Sequence, residues 1–177
     1  YVYRKGESGS WKQIAKVKGG SKVSYTDKTV ECSETYKYTV RAYDGKVKGC
    51  FDDSGIKTIF LKNPSALTVG NSDLGLVLNF NKIDAAKAYD IYRKTLDGEW
   101  EKISTITGSN ITTFVDLAVE DGETYIYSVK ALNGAYSSYF NKNGVKFQYT
   151  MPVVEEETEV TETEENTEIT ENEEVVA

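Results

Sequence analysis

The sequence predicts an all-β chain: two β-sandwich units in tandem, the first lacking its opening strands, followed by a disordered acidic tail. Three observations predict it. Thr35-Tyr36-Lys37-Tyr38-Thr39-Val40-Arg41-Ala42 and Thr124-Tyr125-Ile126-Tyr127-Ser128-Val129-Lys130-Ala131 both carry Tyr, Tyr, Val and Ala at every second position. Side chains of a strand alternate between faces, so these four line one face of a half-buried strand. Sliding the chain along itself by 89 residues aligns Val2-Tyr3-Arg4-Lys5 with Ile91-Tyr92-Arg93-Lys94 and Trp11, Ile14, Asp27, Gly45 and Gly55 with Trp100, Ile103, Asp116, Gly134 and Gly144. No gap is needed from Tyr1 to Phe60, and about a third of the aligned positions are identical. A fixed period means one unit copied, and a unit of about 90 residues suits a small sandwich rather than a solenoid repeat. Turn signals recurring every 8 to 12 residues or so complete the pattern, and no stretch reads as a helix of useful length.

The first unit spans residues 1–61. Tyr1–Lys5 reads as a strand, Gly6-Glu7-Ser8-Gly9-Ser10 as a turn of residues that tolerate tight backbone, and Trp11–Val17 as the return strand. Gly19-Gly20-Ser21 breaks it, and Val23–Asp27 is expected to form a short strand. The Tyr36 strand follows, then the hairpin signal Asp44-Gly45. Asp52-Asp53-Ser54-Gly55 interrupts the closing segment before Ile56–Leu61.

The second unit spans residues 62–152. Asn63-Pro64 marks the boundary, since proline cannot donate to a ladder and suits a strand start. Ala66–Val69, a turn at Gly70-Asn71-Ser72-Asp73, and Leu74–Phe80 form the opening hairpin. Ala88–Lys94, Trp100–Ile106, Thr112–Asp116, Thr124–Leu132 and a split last strand, Tyr136–Phe140 and Val145–Tyr149, complete a seven-stranded set. The first unit has no counterpart of the 28 or so residues Lys62–Tyr89, so the sequence reads as a piece of a longer protein that opens in mid-pattern. A half-sandwich presents an unpaired sheet and a bare core face, which makes the first unit the less stable of the two unless something covers it.

Residues 153–177 change abruptly to Glu, Thr, Val and Asn, with eleven Glu and no aromatic or basic residue. Charges packed this densely repel, and too little apolar surface remains to offset ordering entropy, so disorder is expected. The net charge of −7 is therefore misleading: without the tail the chain is at +4, with +5 on Tyr1–Leu61 and −1 on Lys62–Pro152. The lysines of the first unit are scattered through strands and turns without the clustering of a phosphate-binding footprint, which argues against nucleic acid. No apolar run approaches the roughly 18 residues of a membrane span. Cys32 and Cys50 lie in the first unit only, opposite Asp121 and Tyr139 of the second. They read as lying toward opposite ends of the sandwich, and since a bridge needs Cα atoms within about 7 Å, two free thiols are expected.

These residues resemble a known family, the fibronectin type III domains, in the form found in tandem on secreted and surface proteins of bacteria. The resemblance rests on Val2-Tyr3-Arg4-Lys5 and Ile91-Tyr92-Arg93-Lys94 before a Gly-containing hairpin, and on Trp11 and Trp100 opening the return strand. It continues through Tyr25-Thr26-Asp27 and Phe114-Val115-Asp116 to the Tyr-rich strand ending Arg41-Ala42 or Lys130-Ala131, and covers most of Tyr1–Tyr149. It implies immunoglobulin-like sandwiches, with Tyr36 and Tyr125 as tyrosine-corner residues whose hydroxyls tie back to nearby backbone. Phe80 stands where the family usually has a core Trp, and the integrin-binding tripeptide of some animal members is absent. The Glu/Thr tail resembles linkers that follow such modules in Gram-positive surface proteins, without a visible sorting motif.

For catalysis the chain is poor. It has no His, no phosphate-cradling glycine loop after a strand and no Cys/His metal cluster. Glu99 and Glu101 share one side of a strand but on an exposed hairpin, and Asp52-Asp53-Ser54-Gly55 has calcium-ligand residue types without the ligand spacing of a calcium loop. Neither a catalytic group, a metal nor a cofactor is expected. Weak ligand-binding candidates are Trp11 and Trp100, as platforms for sugar rings, and Tyr136 and Tyr139, where the second unit departs from the first. The simpler reading, which we favour, has each indole packing over its hairpin, since a residue repeated in both units needs no ligand. The expected function is a non-catalytic extracellular spacer or interaction module of a bacterial surface or secreted protein, next to neighbouring domains of a longer chain. The alternative is a carbohydrate- or protein-binding module using an aromatic face of the second unit, with a polysaccharide or a surface protein as partner.

Overall fold

The computed structural model describes residues 1–153. The expected disordered tail falls, from Val154 onward, outside the described residues. Among the described residues every regular element is a strand, and all pairings are antiparallel. Strands β1 (Val2–Gly6), β2 (Lys12–Ala15), β3 (Thr35–Val40) and β4 (Ile56–Ile59) form one sheet in the order β2-β1-β3-β4. Val2 lies across from Val40 and Gly6 from Tyr36, so the apolar positions of β1 and β3 share a face.

The second unit has two layers. Strands β5 (Thr68–Ser72), β6 (Gly75–Asn79) and β9 (Thr113–Asp116) make a three-stranded sheet with β6 in the middle. Strands β7 (Ala88–Thr95), β8 (Glu101–Thr107), β10 (Thr124–Asn133), β11 (Tyr136–Ser137) and β12 (Val145–Gln148) form the other, in which β10 pairs with β7, β11 and β12. The alternation read from sequence builds the core between them. Leu76 and Leu78 of β6 meet Tyr89 and Ile91 of β7 and Tyr125, Tyr127, Val129 and Ala131 of β10. Phe80 is buried, edge-on to Tyr89 at 4.9 Å between ring centroids.

Two expectations fail, each for a local reason. Val23–Asp27 is not a strand. Its counterpart β9 is held by a ladder to β6, from Leu76 opposite Asp116 to Asn79 opposite Thr113, and the first unit has no strand on that side. A short strand with no ladder partner has no hydrogen bonds to define it. The opening hairpin turns later than expected, at Asp73-Leu74, so β5 runs on through Asn71 and Ser72. Gly75 fixes this register: its φ is 149°, and a Cβ there would collide with the Asp116 carbonyl.

The units share a joint. Leu61, the last residue assigned to the first unit by sequence, is only 2% exposed and belongs to the second unit's core, with Cys32 and Ile59 packed against that core. The Ser33 hydroxyl donates to the Asp84 carbonyl at 2.6 Å, and the Tyr136 hydroxyl to the Lys57 carbonyl at 3.2 Å. Ser33 reaches its partner from a φ of 72°, where the second unit places Gly122 with a φ of 78°. Both cysteines are free thiols, Cys32 half-buried and Cys50 exposed.

Candidate functional site

The aromatic residues singled out from sequence do not assemble into one platform. Trp100 lies half-buried over its own hairpin, edge-on to Phe140 at 5.0 Å, and Trp11 repeats the arrangement on Phe51 at 5.6 Å. Lys94 and Lys5 place their ammonium groups over these indoles, at 5.9 and 4.9 Å. Gly144 and Gly55, both at positive φ, allow the close approach of each indole. The Tyr136 hydroxyl is committed to the joint, while Tyr139 is 76% exposed and turns toward the first unit. Tyr36 and Tyr125 are buried in corresponding places, their hydroxyls accepting from the N–H groups of Glu31 and Glu120, each at 3.0 Å.

A polar constellation escaped the sequence reading. In the second unit Asp116 Oδ2 accepts from Arg93 Nη1 and from the Tyr127 hydroxyl, both at 2.8 Å. In the first unit Asp27 Oδ2 accepts from Arg4 Nη1 at 2.8 Å and the Tyr38 hydroxyl at 2.9 Å. Each guanidinium also lies over a corner ring, Arg4 over Tyr36 and Arg93 over Tyr125. The signal was present: Arg4, Asp27 and Tyr38 recur as Arg93, Asp116 and Tyr127 at the one spacing of 89. It was invisible as a unit because the three residues lie on different strands or connections, and only the fold brings them together.

The chemistry of this network is structural. Burial pushes the Tyr38 phenol up to about 12, and its bond to Asp27 adds to that. Burial likewise raises Tyr127, again reinforced by its carboxylate. For Asp27, burial acts upward but is outweighed by donors from Thr29, Tyr38 and Arg4, which leave the carboxyl at about 2. A carboxylate saturated with donors and a phenol held protonated are the opposite of a poised base and nucleophile. Among the described residues no group of three or more acidic or thiol side chains could hold a metal ion.

A concave feature lies on the first unit. A cavity of about 1260 Å³ is floored by Val2, Tyr36, Tyr38, Val40 and Ile59 and walled by the irregular segment around Val23–Lys28. Val40 is 71% exposed there, although Val129, its counterpart, is 3% exposed. Sequence reasoning anticipated a bare core face but not its shape.

The second unit is a two-layer antiparallel β-sandwich whose layers are tied together through Asp116. Solved structures similar to this chain include fibronectin type III domain proteins. An Fn3-like protein from Clostridium thermocellum is 25% identical, with a TM-score of 0.39, over 44% of this chain and 82% of that one. A segment of two fibronectin type III domains from chicken tenascin is 13% identical, with a TM-score of 0.49, over 84% of this chain and 82% of that one. The FN1-FN3 domains of chicken CNTN1 are 13% identical, with a TM-score of 0.42, over 84% of this chain and 52% of that one. No family model matches the chain, and no curated protein matches it. Among the described residues no helix is long and apolar enough to cross a membrane.

Proposed function

We propose that this chain is a non-catalytic spacer and interaction module of a secreted or surface-attached bacterial protein, holding neighbouring domains at a set distance. The observation that carries this reading is the joint. Leu61 buried in the second core, the Ser33–Asp84 bond and the Tyr136–Lys57 bond tie the units at three separate places. A spacer needs such a joint, because a flexible linker would lose the separation it is meant to keep. The repeat itself, and the resemblance of the Glu/Thr tail to surface-protein linkers, support an extracellular place. NMR relaxation of the full chain tests the reading. The amides of β3 and β10 should report one common tumbling time; two independent times would defeat the spacer role.

Tyr139, exposed at the mouth of the concavity, favours a second reading as a module that binds a polysaccharide or a surface protein. A glycan screen with tryptophan fluorescence in parallel separates the two. A hit that vanishes in Tyr139→Ala, with the tryptophan emission and the fold retained, would establish the second reading; a blank is expected.

A further inference from the structure

The outer face of the first unit's sheet carries a charge pattern that the sequence conceals. Lys5 lies directly across from Lys37, and Lys37 directly across from Lys57, so three lysines form one row over β1, β3 and β4. Along the chain they are 20 or more residues apart. They point away from the core, since Tyr36 beside them is buried and Tyr38 bonds to Asp27 on the inner side. Like charges directly opposite one another destabilise a sheet. The fold does not require them, because the second unit has Lys94, Ile126 and Lys146 in the same row. The flanking lysines each have a local partner, the Trp11 ring at 4.9 Å for Lys5 and Glu7 at 3.1 Å for Lys57. Lys37, in the middle, has no ion pair among the described residues.

We propose that this row is the docking surface for the chain's own Glu-rich segment, residues 155–174. Most of that segment is one motif written twice, Thr158-Glu159-Val160-Thr161-Glu162-Thr163-Glu164-Glu165-Asn166 and Thr167-Glu168-Ile169-Thr170-Glu171-Asn172-Glu173-Glu174-Val175. Each copy brings four carboxylates and no basic residue to a row of three cations. The reach is sufficient. The Met151 N–H donates to Asp121 Oδ1 at 2.8 Å, so the segment departs from the end of the second unit where β10 begins. The joint lies past the other end of β10, where the Tyr136 hydroxyl bonds to the Lys57 carbonyl. A strand of 10 residues, about 33 Å long, separates the two. Residues 154–174 span up to about 70 Å when extended, so the second copy reaches the row with slack and the first only when nearly taut. Being on the same chain, the segment meets the row at high effective concentration.

The test uses the full chain. Cys50 is exposed and precedes Phe51, which packs on Trp11, so its thiol can carry a spin label on the face of the row. With Cys32→Ser and isotope labelling, the amides of residues 168–174 should broaden at low salt. At about 0.5 M salt, and equally in Lys37→Glu, that broadening should fall about fivefold or more. Thermal melting gives a readout without the label. Lys37→Glu relieves the row, so it should raise the melting temperature of the first unit, followed through the signals of β3. The rise should be larger when Glu168→Gln, Glu171→Gln, Glu173→Gln and Glu174→Gln neutralise the second copy, because in the parent the docked segment already supplies carboxylates. Absent broadening at low salt, or equal rises in the two backgrounds, would overturn the proposal. So would broadening that persists in Lys37→Glu, which puts the segment on another surface. Equal broadening when an isotope-labelled chain is mixed with spin-labelled copies would overturn it too, assigning the row to a second molecule's segment.

Discussion

The Tyr127 hydroxyl donates to Asp116 Oδ2 at 2.8 Å, from a ring with no solvent exposure, and Arg93 approaches the same oxygen at the same distance. Tyr127 belongs to the core strand β10 and Asp116 ends β9 in the opposite sheet, so this bond ties the two layers of the sandwich together. Asp116 is also held from a second side, its Oδ1 accepting the N–H of Ala118 at 3.1 Å. The network is therefore complete only while all its members are present.

Removing different members should cost different amounts. Tyr127→Phe deletes one of the donors to Asp116 and leaves Arg93 in place, so a loss of about 1 to 2 kcal/mol is expected. Asp116→Ala leaves the buried Tyr127 hydroxyl without its acceptor and Arg93 without a counter-charge, holding only the Ala118 carbonyl, and should cost about 3 kcal/mol or more. Urea unfolding followed by tyrosine and tryptophan fluorescence measures both. Equal losses would mean that the layers are not joined through the carboxylate.

The matching carboxylate in the first unit gives a pH dependence with a definite sign. Asp27 is held at about 2, against an ordinary 3.8, because its donors outweigh burial. Its folded value lies below its unfolded value, so its contribution is fully present above about 3.8 and is lost as pH falls toward 2. The stability difference between the parent chain and Asp27→Asn should therefore shrink on acidification through that window. A difference that stays constant from neutral pH down to the acid limit would refute the assignment.

What was legible in the sequence was whatever repeats along one strand. The alternation Tyr125, Tyr127, Val129, Ala131 gave the core face of β10, and the 89-residue period matched each strand of the first unit to one of the second. What was not legible depended on partners in space. Val23–Asp27 has the composition of a strand, yet a strand exists only where another strand completes its ladder, and β6 has no equivalent beside it. Arg4, Asp27 and Tyr38 each read as ordinary surface or strand residues until the sheet folds them onto one oxygen. The turn at Asp73-Leu74 was missed because the Gly70-Asn71-Ser72 run carries the stronger local signal, whereas Gly75 is needed for contact with Asp116.

The glycines around the indoles separate crowding from backbone strain. Gly134 and Gly144 share a φ of 59°, but a Cβ on Gly134 meets nothing within 4 Å. On Gly144 it would lie 2.6 Å from the Tyr127 carbonyl oxygen and 2.9 Å from Trp100. Gly134→Ala should cost about 1 kcal/mol for the left-handed backbone alone. Gly144→Ala adds the displacement of Trp100 from Phe140, and a total of about 3 kcal/mol or more is expected, with a visible change in tryptophan emission. Thermal unfolding of the two variants side by side checks this, and identical melting shifts would show that Trp100 is not seated as described.

The sharpest comparison is between Val40 and Val129, one residue type at one place in the repeat, 71% and 3% exposed. Burial, not identity, sets what each contributes. Val129→Ala removes two buried methyl groups from a packed core and should cost about 2 kcal/mol. Val40→Ala removes the same groups from an open groove and should stay within about 0.5 kcal/mol. With Lys62–Tyr89 duplicated ahead of Tyr1 the asymmetry should largely vanish, Val40→Ala rising toward the Val129→Ala value as its side chain becomes covered. Chemical unfolding of these four variants, two in each chain, measures the change. A Val40→Ala effect that is already large in the parent chain would mean that the first unit closes over its own core, and the groove would not exist in solution.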